Sequence, residues 1–125
     1  MKGSQMISDP EILVAINHWS KAVKVPAGVL IEPGPLLAAI CGNETSWGEK
    51  RWATRVEPAY YRAGAYYKKP DNEWLRKLVA KYETLAAMSW GWSQLMYPVA
   101  VELGFTGHPW ELMDADAAAR WTVEY

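Results

Sequence analysis

Hydrophobic side chains recur along the chain at the three- and four-residue spacing of an amphipathic helix. A first helix is predicted to start within Ser8 to Glu11, because Ser8 and Glu11 stand at the spacing of a capping box and Pro10 falls in the first turn. The apolar residues that follow lie on one helix face: Ile12, Ile16, Trp19 and Val23.

The same period predicts four more helices downstream. The first runs from Pro35 to about Thr45, and the third runs from about Ser93 to Leu103 and is ended by Gly104. The second is capped by Asp71, and its apolar stripe is Trp74, Leu75, Leu78, Val79, Tyr82, Leu85 and Ala86. The last starts at Asp114 and has Ala118, Trp121 and Tyr125 on one face.

Two stretches lack this period. Lys24 to Gly34 contains several helix-breaking residues, so Val29 to Ile31 is expected to be a short buried loop or strand. Trp47 to Pro70 is expected to be irregular or hairpin-like, with an exposed aromatic surface. A segment this long inside a small domain usually has a function. The pattern therefore predicts one mainly α-helical domain over residues 1–125.

Composition excludes several classes of protein. The 125 residues are 50% hydrophobic and 22% charged, which is typical of a globular domain. The single cysteine, Cys41, excludes a disulfide framework and a cysteine-rich zinc site. The net charge of −1 argues against a strongly basic nucleic-acid binder. No apolar run is long enough to span a membrane, and the polar N-terminus does not resemble an export signal.

The aromatic residues and the charge distribution suggest a ligand. Eight Trp and seven Tyr stand against one Phe. Such rings offer a flat apolar face and a polar group, which suits a sugar-binding groove, although they equally suit a small core. Residues 50–81 hold nine Lys or Arg against three acidic residues. That excess favours an anionic polymer, or simply a solvated helix face.

Glu44 is the first candidate for catalysis. It follows Cys41 by three residues and Leu37 by seven, so it is expected on the apolar face near the end of its helix. Burial and the negative end of the helix dipole both disfavour a charged carboxylate there. A protonated Glu44 could donate its proton to a leaving group. The alternative is a side chain that turns out to solvent.

Two further segments carry candidate residues. Ser89-Trp90-Gly91 precedes Gln94, which is expected one turn inside the following helix, where its amide could bind a hydroxyl or acetamido group. Glu57 is held extended by Pro58. It is either a second carboxylate facing Glu44 or an ion-pair partner of Arg55 or Arg62.

These segments together resemble the lysozyme-like superfamily, above all the soluble lytic transglycosylase and goose-type lysozyme domains. The similarity lies in Glu44-Thr45-Ser46, in Ser89-x-Gly91-x-x-Gln94-Leu95-Met96 and in Leu103-Gly104-Phe105. Glu57-Pro58 with Tyr60 and Tyr61, together with Ser-Trp-Gly, is similar to phage N-acetylmuramidase domains. The superfamily's later Ala-Tyr-Asn-x-Gly helix has no counterpart, so the C-terminal part of that fold is expected to be missing.

The resemblance implies a monomeric peptidoglycan-cleaving enzyme of the cell wall, periplasmic or extracellular, or phage-encoded and released from the cytoplasm. Glu44 and Glu57 would be catalytic. Substrate contacts would come from Ser46, Tyr60, Tyr61, Ser89, Trp90, Gly91, Gln94 and Met96. No metal or organic cofactor and no nucleic-acid or membrane partner is implied. The alternative is a catalytically inactive glycan-binding module that keeps only the groove.

Overall fold

The computed structural model describes residues 7–25, 28 and 32–125. The predicted mainly α-helical class is confirmed, with a short three-stranded antiparallel sheet beside the helices. The predicted segment Val29 to Ile31 lies outside the described residues. None of the helices described is long and apolar enough to cross a membrane.

The elements alternate between regular helices and short 3₁₀ turns. The α-helices are α1 Pro10–Trp19, α2 Pro33–Thr45, α3 Ala65–Lys68, α4 Glu73–Tyr82, α5 Tyr97–Glu102 and α6 Ala115–Glu124. The strands are β1 Arg55–Val56, β2 Met88–Trp90 and β3 Leu95–Met96. The 3₁₀ helices are Ser20–Ala22, Pro58–Tyr60, Pro70–Asn72, Glu83–Ala87 and Pro109–Met113.

Side-chain caps fix the ends of α1 and α6. The α1 cap is Asp9 and not Ser8, because the Asp9 carboxylate accepts hydrogen bonds from two free N–H groups of the first turn, at 2.9 and 3.4 Å. Asp114 caps α6 as predicted and accepts from the Ala117 N–H at 2.9 Å. Helix α2 begins two residues earlier than predicted, with Pro33 itself in the first turn.

The predicted helix from Asp71 to Ala86 is shorter than its apolar stripe. Asp71 is not an N-cap, because it lies inside a 3₁₀ turn and α4 begins at Glu73. The helix ends at Tyr82 because Glu83 takes a left-handed φ of 54°. The 3₁₀ helix that follows still buries Ala86, so the stripe marked the core correctly but not the helix.

The predicted helix from Ser93 to Leu103 begins only at Tyr97. Before it, β2 and β3 form a hairpin with residues 91–94 as the turn. Gly91 and Gln94 have φ values of 78° and 53°, and this left-handed backbone turns the chain back on itself. Gly104 follows the end of α5 with a φ of 111°, as predicted for a residue just beyond a helix.

Two hydrophobic clusters form the core. One joins α1, α2 and α6 around the fully buried Trp92, and the other joins α4, α5 and the hairpin. Gly91 lies where the hairpin meets the C-terminal segments, since a Cβ there would be 2.4 Å from the Leu112 carbonyl oxygen. The hairpin joins the two clusters, because Trp92 belongs to the first and Trp90 and Leu95 belong to the second.

Candidate functional site

The last turn of α2 and the hairpin together form a cavity of about 270 Å³. Its lining is Ile40, Glu44, Ser93, Gln94, Leu95, Met96, Val99, Thr122 and Tyr125. Three residues predicted from two distant segments, Glu44, Gln94 and Met96, thus meet at one place. The cavity combines an acidic group, an amide and apolar walls, which is the usual character of a small-molecule site.

A buried hydrogen bond fixes the end of α2 to the hairpin turn. The Thr45 hydroxyl donates to the Trp92 carbonyl oxygen at 2.7 Å, and Thr45 has no exposed surface. The indole N–H of Trp92 donates in turn to the Ala115 carbonyl at 2.9 Å. Glu44, adjacent to Thr45, is therefore carried by a helix end that is tied to both the hairpin and α6.

Gln94 occupies the hairpin turn and not a helix, contrary to the prediction. Its side-chain oxygen accepts from the Ser89 hydroxyl at 2.8 Å. Its side-chain nitrogen donates to the carbonyls of Ala53 at 2.8 Å and Gly91 at 3.0 Å. Both amide protons are thus used within the protein, so Gln94 holds the turn together as well as lining the cavity.

The Glu44 side chain is exposed, so the expected burial on the apolar face of α2 is wrong. Cys41 and Thr45 point into the core and are fully buried, whereas Glu44 is turned towards the cavity edge. Within the described residues, no hydrogen bond or ion pair holds its carboxylate. The group is therefore accessible to a ligand that enters the cavity.

Three consecutive residues after α2 have left-handed backbones. Ser46, Trp47 and Gly48 have φ values of 51°, 61° and 94°. Such conformations cost energy in non-glycine residues and persist where packing imposes them. Here the Trp47 ring lies so close to Gly42 that an added Cβ would be 2.6 Å from it. Ser46 is half-buried at the helix end and does not line the cavity, so its substrate contact stays a prediction.

Glu57 lies outside the Glu44 cavity, directly after β1. Its N–H donates to the Ala87 carbonyl at 2.8 Å, which extends the β1–β2 ladder. Neither Arg55 nor Arg62 forms an ion pair with Glu57 among the described residues, and Arg62 instead donates to both carboxylate oxygens of Glu83 at 2.9 Å. The Glu57 side chain is exposed, and its catalytic role stays a prediction.

The sheet register relates Glu57 to the cavity. Arg55 pairs with Ser89, and Ser89 pairs with Met96, so these three side chains share one face of the sheet. Glu57 follows Arg55 by two residues and its N–H continues the ladder, which places it on the same face. Glu57 and the cavity residue Met96 are thus on one face but two strands apart.

Several of the predicted substrate contacts are buried or packed against the core. Trp90 is only 6% exposed, and the buried Gly91 has no room for a side chain, so both serve the packing of the hairpin and not an open surface. Ser89 is also buried and contacts Gln94. Tyr60 and Tyr61 are half-buried against the second cluster and do not line the cavity.

Four other aromatic residues are exposed, and two of them lie in the stretch Trp47 to Pro70, where an exposed aromatic surface was expected. They are Trp52, Tyr66, Trp110 and Tyr125. Tyr125 lines the Glu44 cavity, and sequence reasoning missed this role. It follows the end of α6 at Glu124, whereas the prediction placed it on a face of that helix. Spacing gives no signal for the role, because register with the buried Ala118 predicts a core residue and Tyr125 is 81% exposed.

A buried arginine, Arg51, is part of the turn that follows α2. Arg51 is 5% exposed and contacts the carboxylates of Asp9 at 2.9 Å and Glu11 at 2.8 Å. Burial alone would raise the pKa of Asp9, but hydrogen bonds and the charge of Arg51 outweigh it and lower that pKa. Burial would likewise lower the pKa of Arg51, and the two carboxylates raise it instead. Both groups thus remain charged.

No protein-family model matches the chain, and neither the curated proteins nor the solved structures include one with significant similarity to it. Function must therefore be argued from the geometry of the site.

Proposed function

We propose that the protein cleaves peptidoglycan at the β-1,4 bond between N-acetylmuramic acid and N-acetylglucosamine, as a lytic transglycosylase or a muramidase. The observation that carries the proposal is the meeting of Glu44, at a helix end, with Gln94 and Met96 in one open cavity. A resemblance based only on short motifs would not require these segments, 50 residues apart from Glu44 to Gln94, to come together.

In this proposal Glu44 is first an acid and then a base. A bound glycan would cover the exposed carboxyl group and exclude water from it. Glu44 gives its proton to the glycosidic oxygen while the bond from that oxygen to the anomeric carbon breaks, which leaves an oxocarbenium-like sugar. The resulting carboxylate then removes a proton from the sugar's 6-hydroxyl, giving a 1,6-anhydro product, or from water, giving a reducing end.

The position of Glu57 favours the anhydro product. An inverting hydrolase needs a second carboxylate roughly 6.5–9.5 Å from the first to activate water. Among the described residues, no second acidic side chain lines the Glu44 cavity, and Glu57 is not part of its lining. A single carboxylate is sufficient for the intramolecular route through the 6-hydroxyl.

A second candidate is a glycan-binding module without activity. The observation that favours it is the exposed Glu44 carboxylate, which no described residue orients by a hydrogen bond. Catalytic acids are usually held by such contacts, since small misplacement costs a large part of the rate.

The test is digestion of purified peptidoglycan, with the product ends identified by mass spectrometry. Glu44→Gln should keep the fold and lower the cleavage rate by about 10²–10⁴-fold, the contribution of general acid catalysis. Glu49→Gln is the matched control, because Glu49 is also exposed and lies outside the cavity. Cleavage by Glu44→Gln at the parent rate would contradict the mechanism. If the parent binds the glycan but does not cleave it, the second candidate, a glycan-binding module without activity, is supported instead.

A further inference from the structure

A larger cavity, of about 530 Å³, continues from the Glu44 cavity towards the start of α2, and we call it the aliphatic cavity. Three residues line both cavities: Ile40, Thr122 and Tyr125. The two cavities are therefore contiguous, and together they form one groove between α2 and the end of α6.

Helix α2 gives this groove its direction. Leu36, Ile40 and Glu44 follow one another at four-residue spacing, so they lie along one side of the helix. Leu36 lines the aliphatic cavity, Ile40 lines both cavities, and Glu44 lines its own. A helix rises about 12 Å over the eight residues from Leu36 to Glu44. A ligand whose reacting bond lies at Glu44 thus has room for a branch of about this length along α2.

The chemistry of the aliphatic cavity differs from that of the Glu44 cavity. Its aliphatic lining residues are Ala22, Val23, Leu36, Leu37, Ile40 and Val123. Its charged lining residues are Lys24 and Glu124. Arg120 holds the Glu124 carboxylate at 2.9 Å, whereas Lys24 is exposed and forms no ion pair with another described residue. The charge left for a ligand at this end of the groove is therefore positive, opposite in sign to Glu44.

From this arrangement we propose that the aliphatic cavity binds the short peptide that peptidoglycan carries on the lactyl group of N-acetylmuramic acid. This peptide begins with alanine and has a free carboxylate on its second residue. The methyl group matches the aliphatic walls, and the carboxylate matches Lys24. Two extended residues span about 7 Å, which is within the length of the groove. The inference rests on the proposed function, because it names the substrate branch that the same groove takes.

A further sugar ring is the alternative occupant. Sugar rings are bound by open aromatic faces, and the described lining of the aliphatic cavity includes a single aromatic residue, Tyr125. The aliphatic walls therefore favour the peptide.

The test is calorimetric titration in the Glu44→Gln background, so that ligands are bound and not consumed. The first ligand is the disaccharide of N-acetylglucosamine and N-acetylmuramic acid with its lactyl carboxylate amidated. The second carries an Ala–Glu dipeptide on the lactyl group, and the third is the diamide of the second. The second ligand should bind most tightly and the first most weakly.

The variants locate the contacts. Lys24→Ala should weaken binding of the dipeptide ligand by about fivefold, or about 1 kcal/mol, and leave the neutral diamide unchanged. Leu36→Ser should weaken both peptide ligands and leave the bare disaccharide unchanged. Lys21→Ala is the matched control, because Lys21 is also exposed and lines neither cavity. It should change none of the affinities.

The outcomes separate the two proposals. If the parent cleaves peptidoglycan and the three ligands bind with equal affinity, the peptide site is wrong and the proposed function stands. An equal loss of the dipeptide ligand in Lys24→Ala and Lys21→Ala would indicate a general effect of charge and also overturn the peptide site. The same holds if Lys24→Ala weakens the diamide as much as the dipeptide. If the parent does not cleave peptidoglycan and the background variant binds none of the ligands, both proposals fail.

Discussion

Replacing Thr45 with valine should weaken the connection between α2, the helix that carries Glu44, and the hairpin. Valine keeps the shape and the β-branch of threonine, so helix propensity and packing change little. What is lost is the hydroxyl that donates to the Trp92 carbonyl at 2.7 Å. The same hydroxyl lies 3.2 Å from the Cys41 carbonyl, but that oxygen also accepts from backbone N–H groups at the end of α2.

The expected cost follows from what remains unpaired. Thr45 and Trp92 are both fully buried, so water cannot replace the missing donor. A buried carbonyl left without a partner costs about 1–3 kcal/mol, whereas the net value of an ordinary hydrogen bond is about 0.5–1.5 kcal/mol. We therefore expect Thr45→Val to lower the free energy of unfolding by about 1–3 kcal/mol. For a chain of this size, each kcal/mol of lost stability lowers the melting temperature by roughly 3–6 °C.

Urea unfolding followed by tryptophan fluorescence measures this directly, with the slope against urea checked for constancy. Thr106→Val is the control, because Thr106 is exposed and a surface change of this kind stays within about 0.5 kcal/mol. If Thr45→Val and Thr106→Val unfold with the same free energy, the hydrogen bond does not hold the two segments together, and the account of how Glu44 is positioned must be abandoned.

Three further predictions concern stability. Gly91→Ala should cost at least about 2 kcal/mol in thermal unfolding, because the residue has a φ of 78° and the Leu112 carbonyl oxygen blocks its Cβ. Burial and the neighbouring Tyr82 raise the pKa of Tyr97 to about 12. The unfolded phenol ionises near 10, so the unfolded state binds fewer protons between about pH 10 and 12 and stability should fall there; Tyr97→Phe should flatten that fall in urea midpoints. Arg51 lowers the pKa of Asp9 in the folded state. The Asp9 carboxylate should therefore stabilise the fold above about pH 4, and this stabilisation should disappear as pH falls through the lower folded-state pKa. The difference in free energy of unfolding between the parent and Asp9→Asn should then close in acid.

The start of α6 and the ends of α2 and α5 could be predicted because their determinants are local. The Asp114 cap, the period of α4 and the glycine after α5 each lie within a few residues of the feature they specify. Even the error at α1 was one of choosing between two adjacent capping residues. Local signals of this kind depend on the backbone's own unpaired N–H and carbonyl groups and not on tertiary contacts.

The hairpin could not be predicted in the same way. Its strands are only three and two residues long, too short for a visible alternation of polar and apolar positions. Pairing of β2 with β1 stabilises the hairpin, and β1 is distant in the sequence, because Met88 follows Arg55 by 33 residues. The apolar residues on both sides of Gln94 therefore appeared helical, although their partners were across a sheet. Glu44 and Gln94 nevertheless line one cavity, because the Thr45 hydroxyl ties the end of α2 to the hairpin turn.

The exposure of Trp52 illustrates a further limit, since burial at this turn is the reverse of what residue type suggests. A cation next to a tryptophan is ordinarily the exposed member of the pair. Here Arg51 is buried because the first turn of α1 supplies two carboxylates, Asp9 and Glu11, which compensate the loss of water around its charge. With that position filled by the guanidinium, the indole is left on the outside, lying over the cation at 4.3 Å. The exposure of Trp52 thus depends on two carboxylates, Asp9 and Glu11, which lie 42 and 40 residues before Arg51 in the chain and which no local pattern connects to it.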